Sequence, residues 1–212
     1  MQTRKGQSIE DESMEIIERE IGPHPYKGHE WQIVRRIIHS TADFDFAGKN
    51  GMVFHKDAVR NGLEALQDGK NIIIDVNGVI GLLNKKNLDD FKVNAICDIS
   101  NPDVVKEAMK LDRTRAQTAM RIRASEMNGG IVVIGNAPTA LLEVIDMIKE
   151  KVARPRLVIG VPVGFVSAAE SKELLQTIDL PYITNNGRKG GSPCAAAIIN
   201  ALFKILREES SS

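Results

Sequence analysis

The sequence predicts an α/β protein: a mostly parallel, doubly wound sheet with helices on both faces, preceded by a helical N-terminal segment. Three observations predict it. Short runs such as Ile72-Ile73-Ile74, Ile131-Val132-Val133-Ile134 and Leu157-Val158-Ile159 are apolar at every position, as strands covered on both faces require. In the final third each apolar run leads into a glycine-containing turn and then an amphipathic helix. Strand and helix therefore alternate, which is the order of a parallel sheet with crossover helices.

The elements follow in chain order. Segment 8–20 opens on Ser8 with Glu10, Asp11 and Glu12, acids that suit a helix N-terminus, and sets Ile9, Met14, Ile16 and Ile17 on an apolar side. Gly22-Pro23-His24-Pro25 is a turn, and a second helix from about Glu30 to His39 carries Trp31, Val34, Ile37 and Ile38. Small and turn residues break the pattern over 40–51. Met52-Val53-Phe54 is a short strand, 56–66 a helix, 72–74 a buried strand, 76–83 a short helix and 95–97 another strand. Residues 102–127 form a long or broken helical region. Strands at 131–134, 157–159 and 182–183 then precede helices at 137–150, 167–176 and 192–207, and the polar tail 208–212 is expected to fray. The chain reads as a single domain, 1–212, with no repeat of solenoid length.

Composition excludes several functions. Lys and Arg number 28 and Asp and Glu 28, so the net charge is zero and there is no basic excess for nucleic acid or an anionic membrane. Cys97 and Cys194 stand far apart with no CxxC and no histidine at ligand spacing, so neither a metal site nor a disulfide framework is indicated. Two free thiols suit a reducing cytoplasm. The start, MQTRKGQSIEDESMEII, has no apolar core of a signal peptide, and no run reaches the roughly 18 apolar residues of a membrane span.

Three turns carry the chemistry, because all strand-to-helix turns of a doubly wound sheet emerge at its carboxyl edge. In Gly135-Asn136-Ala137-Pro138-Thr139 the glycine permits a sharp turn and Pro138 presets the first helical turn. Gly160-Val161-Pro162-Val163-Gly164-Phe165-Val166 ends in Ser167-Ala168-Ala169-Glu170, which fits the capping box S-x-x-E. Gly187-Arg188-Lys189-Gly190-Gly191 leads to Ser192 as N-cap and Pro193 at the first helical position. Together these turns are expected to offer free N–H groups and two cations to an anionic or carbonyl-rich ligand. Singly, each is also what any sharp turn or helix start needs. Neither GxGxxG nor GxxxxGK[ST] is present, which argues against a nucleotide cofactor.

The segments VVIGNAPTALLEVIDMI (132–148), VIGVPVGFVSAAESKE (158–173) and GRKGGSPCAAAIINAL (187–202) resemble the precorrin-8X methylmutase family in composition, order and spacing. Upstream, IVRRIIHSTAD (33–43) is similar to the family's segment around its catalytic histidine, and 111–120 to its Thr-Arg segment. The resemblance implies a homodimer with active sites near the subunit interface, acting on a tetrapyrrole, precorrin-8X or its cobalt complex. It implies migration of a methyl group from carbon 11 to carbon 12, giving hydrogenobyrinic or cobyrinic acid in cobalamin biosynthesis. No cofactor is implied. The shift is regarded as a sigmatropic rearrangement assisted by protonation of, or hydrogen bonding to, a ring nitrogen.

On this resemblance His39 is the general acid, a role that imidazole suits near neutral pH. By position alone, a histidine in a helix's last turn more often complements the dipole or caps carbonyls. Arg115, after Thr114, matches the arginine that holds a peripheral carboxylate, and a planar fork suits that ligand. Ser13 matches a serine near the substrate. In the turns, Asn136, Ala137, Thr139, Gly164, Arg188, Gly190 and Gly191 are expected to bind substrate through backbone or side chain. Arg35, Arg36, Arg113, Arg121 and Arg123 are left unassigned, and His24, His29 and His55 are read as surface or turn residues. His39 is followed by Ser-Thr-Ala-Asp rather than the Ala-Cys-Gly-Ser of some members, which leaves the adjoining loop's shape open. Two other readings stand beside this one: a doubly wound enzyme acting on a phosphorylated substrate at the same edge, and a non-catalytic corrinoid carrier.

Overall fold

A computed structural model describes residues 3–210. Six strands, β1 (Met52–Phe54), β2 (Ile72–Ile74), β3 (Ala95–Ile96), β4 (Ile131–Ile134), β5 (Leu157–Gly160) and β6 (Tyr182–Asn185), form one sheet in the order β1-β6-β5-β4-β2-β3. All pairings are parallel except that of β1, which runs antiparallel to β6 at the edge with Met52 opposite Asn185. The expected mostly parallel, doubly wound sheet is therefore what the chain forms.

Alternation within the strands divides the core in two. Ile72, Ile74, Ile131, Val133, Leu157, Ile159 and Ile183 face one side. There they pack against α2 (Gly28–Thr41), α3 (Ala58–Gln67), α4 (Asn77–Leu82) and the long α10 (Ser192–Ser210). Ile73, Val132, Ile134, Val158 and Tyr182 face the other, against α7 (Arg115–Ile122), α8 (Pro138–Lys149) and α9 (Ala168–Leu175). Strands buried on both faces need apolar residues at every position, which is why the runs read as continuous. The N-terminal helix α1 (Arg4–Glu20) lies outside, tied to α2 by Arg35–Glu18 and Arg36–Glu10 ion pairs of 2.7 Å each.

Several boundaries differ from expectation for local reasons. Helix α1 starts at Arg4, not near Ser8, because Thr3 caps it by accepting the Gly6 amide. A short helix, α5 (Lys85–Asp90), was not anticipated: its KKNLDD sequence has almost no apolar face, and it is set by the Asn84 cap. Residues 102–127 break into α6 (Pro102–Lys110), α7 and a 3-10 turn (Ala124–Met127), interrupted by Asp112 in the left-handed region at φ 51°. Helix α10 starts at Ser192, the expected residue, which is the first of the helix and not a cap outside it, and runs on through Ser210 instead of fraying at 208. Ser211 and Ser212 lie outside the described residues.

Candidate active site

Strands β2 and β4 are neighbours, yet the chain leaves β2 for β3 on one side before returning to β4 on the other. This reversal is the switch point at which ligands of doubly wound sheets bind. Asp75 ends β2 there, 1% exposed. Its Oδ1 accepts the Gly135 amide at 2.9 Å, and its Oδ2 accepts those of Asn136 and Ala137 at 2.9 and 2.7 Å. Burial pushes this carboxyl upward and the three amides pull against it. The sequence reading passed over Asp75; its signal was an acid closing an all-isoleucine strand. The first turn's amides are therefore bonded inside the protein and not free, as expected, for a ligand. Pro138 does open α8. The Asn136 side chain points into solvent, and Thr139 Oγ1 lies 3.0 Å from Thr114 Oγ1.

The other two turns are sewn to each other. Gly164 N–H donates to the Arg188 carbonyl at 3.2 Å and Gly191 N–H to the Val161 carbonyl at 2.9 Å. Gly190, at φ 153°, passes so close that a Cβ there would lie 2.3 Å from the Val161 carbonyl oxygen. The amides of Gly164 and Gly191 are thus also consumed internally. The expected capping box at Ser167 does not form: Ser167 is left-handed at φ 60° and makes no cap bond, since a cap needs an extended backbone. A capping box occurs instead at Thr114–Gln117. The two cations of the third turn have different fates. Lys189 pairs with Asp43 and Asp45 at 2.7 and 2.8 Å, whereas the Arg188 guanidinium lies 5.6 Å over the Phe165 ring and has no acidic partner among the described residues.

Lys172 was also unanticipated. It is fully buried, donating to Asn185 Oδ1 at 3.2 Å and to the Lys189 carbonyl at 2.7 Å, and burial lowers its pKa to about 8. It anchors the third turn from α9. Its signal was a lone lysine amid small residues, indistinguishable in sequence from a solvated one.

His39 stands in the last turn of α2, half-buried, in a pocket of about 240 Å³ lined by Arg36, Ser40, Leu82, Ala196, Ala197 and Asn200. Its ring makes no hydrogen bond among the described residues. Burial lowers its pKa, as do Arg36 and Lys204, with Glu10 opposing them. The loop that follows is closed by Ala42, left-handed at φ 53°, and by Asp43 accepting the Asp45 amide. Arg36, Leu82 and Asn200 also line a wider groove of about 570 Å³ running toward α5. Ser40 Oγ reaches the Pro193 carbonyl at 3.4 Å, so His39 lies beside the start of α10, next to the third turn.

Arg115 is exposed at the first position of α7 and has no acidic partner among the described residues. The Thr114–Thr139 contact brings it to the carboxyl edge. By contrast Arg113 and Arg121 reach Glu143, and Arg123 pairs with Asp98 and Glu126. Arg35 and Arg36 are held by α1, so all five of these arginines have acidic partners, and Arg36 also lines the His39 pocket. Ser13 is turned back onto the Ile9 carbonyl at 2.7 Å and does not line the His39 pocket. His24 stacks on Trp31, His29 pairs with Glu209, and His55 accepts the Asp57 amide. Cys194 is fully buried, its thiol pushed up to about 12, and Cys97 is part-buried; neither is in a disulfide. No group of three or more metal-ligating side chains occurs among the described residues, nor a helix long and apolar enough to cross a membrane.

The edge thus gathers Asn136, Thr139, Thr114, Arg115, Gly164, Arg188 and the glycines of the third turn, with His39 adjoining through α10. Comparison with known proteins bears on the family and the fold. Residues 8–205 match the family model for precorrin-8X methylmutase. The cobalt-precorrin-8 methylmutase of Priestia megaterium is 48% identical over 200 residues, covering 94% of this chain and 88% of the relative. That of Leptospira interrogans is 44% identical, covering 96% and 95%. A crystal structure of precorrin-8X methylmutase from Thermus thermophilus superposes with a TM-score of 0.90 at 38% identity, over 96% of this chain and 98% of that one. The chain belongs to the precorrin-8X methylmutase family.

Proposed function

We propose that this protein is an isomerase of cobalamin biosynthesis that moves a methyl group from carbon 11 to carbon 12 of precorrin-8X or its cobalt complex, giving hydrogenobyrinic or cobyrinic acid. The observation that carries the reading is His39: a half-buried imidazole that makes no hydrogen bond among the described residues and faces a pocket lined by Arg36, Asn200, Ser40, Leu82, Ala196 and Ala197 beside the start of α10. Methyl migration on a conjugated tetrapyrrole needs no nucleophile and no leaving group. The protein can help by drawing electron density from the ring through a hydrogen bond or proton on nitrogen, and His39 is the donor. Because burial and Arg36 lower its pKa, His39 is mainly neutral in the free protein near pH 7 and donates as a neutral N–H or gains its proton as substrate binds. The substrate's acetates and propionates favour that proton.

Arg115 and Arg188, the edge guanidiniums without acidic partners among the described residues, hold peripheral carboxylates, with Thr114, Thr139 and Asn136 as hydrogen-bonding groups beside them. Gly190 acts by shape, since close loop approach requires it, Gly164 and Gly191 by their positive φ of 154° and 110°, and Ala137 by keeping the helix start slim. Ser13, whose hydroxyl donates to the Ile9 carbonyl, is a further hydrogen-bonding contact through its free lone pairs. The phosphorylated-substrate reading is weakened, as the amides of Gly135, Asn136 and Ala137 are bonded to Asp75 and those of Gly164 and Gly191 to the Arg188 and Val161 carbonyls. The protein works as one domain, in the cytoplasm and as a homodimer; the exposed Phe165 and Val166 beside Arg188 give a second subunit an apolar surface to cover.

Purified protein offered precorrin-8X and cobalt-precorrin-8 should change the absorption spectrum of at least one over many turnovers. Stoichiometric binding without conversion would instead identify a corrinoid carrier. Comparing the two kcat/KM values decides whether cobalt belongs in the natural substrate.

A further inference from the structure

Three amides of one turn converge on a single buried carboxylate. Gly135, Asn136 and Ala137 open α8, where successive N–H groups and the helix dipole make a seat for an anion. The turn adjoins β2 at the switch point, where doubly wound sheets commonly take a ligand's phosphate. Here the seat is filled from within, by Asp75 at 2.7–2.9 Å. The N-cap of α8, Ala137, has no side-chain oxygen, so the cap is supplied from a different strand, 60 residues earlier in the chain than Gly135. Space is closed as well. A Cβ on Gly135 would lie 2.8 Å from Val79 Cγ2 and 3.1 Å from Ala195 Cβ, so α4 and α10 pack directly against the turn. At 1% exposure the carboxylate has no solvent to stabilise it, and the amides take that role.

We propose that Asp75 is the resident anion of this fold: it occupies the switch-point seat, so that no phosphate of a ligand enters it, and it positions the turn that presents Asn136 and Thr139 to the substrate. Asp75 does not face the substrate; it is a positioning residue. The occupancy half stands on the geometry alone, and the positioning half rests on the methyl-migration reading. In this fold a ligand held by one phosphate at the edge is replaced by one held at its many carboxylates, through Arg115 and Arg188.

The test titrates formate and inorganic phosphate into wild type and Asp75→Ala, following the backbone amide resonances of Gly135, Asn136 and Ala137, and measures turnover in parallel. In wild type none of the three amides should move. In Asp75→Ala they should shift saturably with formate, a carboxylate small enough for the vacated space. Its kcat/KM should fall on the order of 10–100-fold, as misplacement of a substrate-positioning turn does, and formate should restore part of it in the variant alone. Asp75→Asn keeps the volume, loses the charge and blocks the seat, so it should be impaired and not rescued. Wild-type amides that respond to phosphate would overturn the occupancy. A kcat/KM at the wild-type level in Asp75→Asn, or a loss in Asp75→Ala that formate leaves untouched, would overturn the positioning. Should Asp75→Ala not fold, the wild-type titration and Asp75→Asn still decide both halves. A wild type inert toward both tetrapyrroles defeats the reaction reading and the positioning half with it, while the amide titration still decides occupancy.

Discussion

His39 and Arg115 make separable contributions, because one acts where charge develops and the other where it does not. His39→Ala should fold normally, retain product binding and lose about 10²–10⁴-fold in single-turnover rate, the usual range for a general acid. A rate within a few-fold of wild type would return the residue to a helix-end cap. The pH profile follows from the sign of its shift. A general acid loses activity as pH rises through its pKa, and kcat/KM reports the free protein. With His39 held below the ordinary imidazole value by burial and Arg36, kcat/KM should begin to decline at a pH below about 6.5. The decline in kcat should come at higher pH, because bound carboxylates favour the imidazolium; coincident profiles would remove that account. Arg115→Ala should weaken substrate binding by about 1.5–3 kcal/mol while leaving the bound-state rate nearly intact, since a remote carboxylate contact is equal in ground and transition states. Equilibrium binding alongside single-turnover kinetics checks both halves of that statement.

At the scale of elements, the edge is held by contacts between loops. The β5–α9 and β6–α10 turns touch where Gly190 passes Val161, and Lys172 and Lys189 extend the join to α9 and to the loop after His39. Gly190→Ala should therefore be costly, because its Cβ meets backbone rather than a side chain that can move aside. A loss of about 2–4 kcal/mol in denaturant unfolding is expected, in the range of strain at a special backbone position. Unchanged stability would mean that the two turns separate freely. Sequence showed these turns and their glycines clearly, because sharp bends and helix starts demand particular residues. It did not show that their amides face one another: Ser167-Ala168-Ala169-Glu170 fits a capping box as text, and only the left-handed φ of Ser167 cancels it. The helix KKNLDD escaped for the opposite reason, having a cap but almost no apolar periodicity to announce it.

At the scale of the whole molecule, the proposed homodimer would give a flat macrocycle the second wall that a single carboxyl edge does not offer. Sedimentation equilibrium should give twice the 23.3 kDa chain mass, and activity should fall on dilution below the dimer dissociation constant. A fully active monomer at high dilution would refute the homodimer. The sequence by itself determined the layered α/β architecture, since buried parallel strands and their covering helices leave unmistakable apolar periods. It also determined the family, since long strings such as GNAPTAL and GVPVGFVSAAESK tolerate little coincidence. Only the tertiary structure decided which charges are available to a ligand. Arg113, Arg115, Arg121, Arg123, Arg188 and Lys189 look alike in a string, yet Arg115 and Arg188 alone among them lack an acidic partner in the described residues. Likewise Asp75 became the keystone of the edge only when the sheet set β2 beside β4. The reason is physical: local periodicity is written into neighbouring residues, whereas the partner of a charge is chosen by the fold, across dozens of residues that the sequence keeps apart.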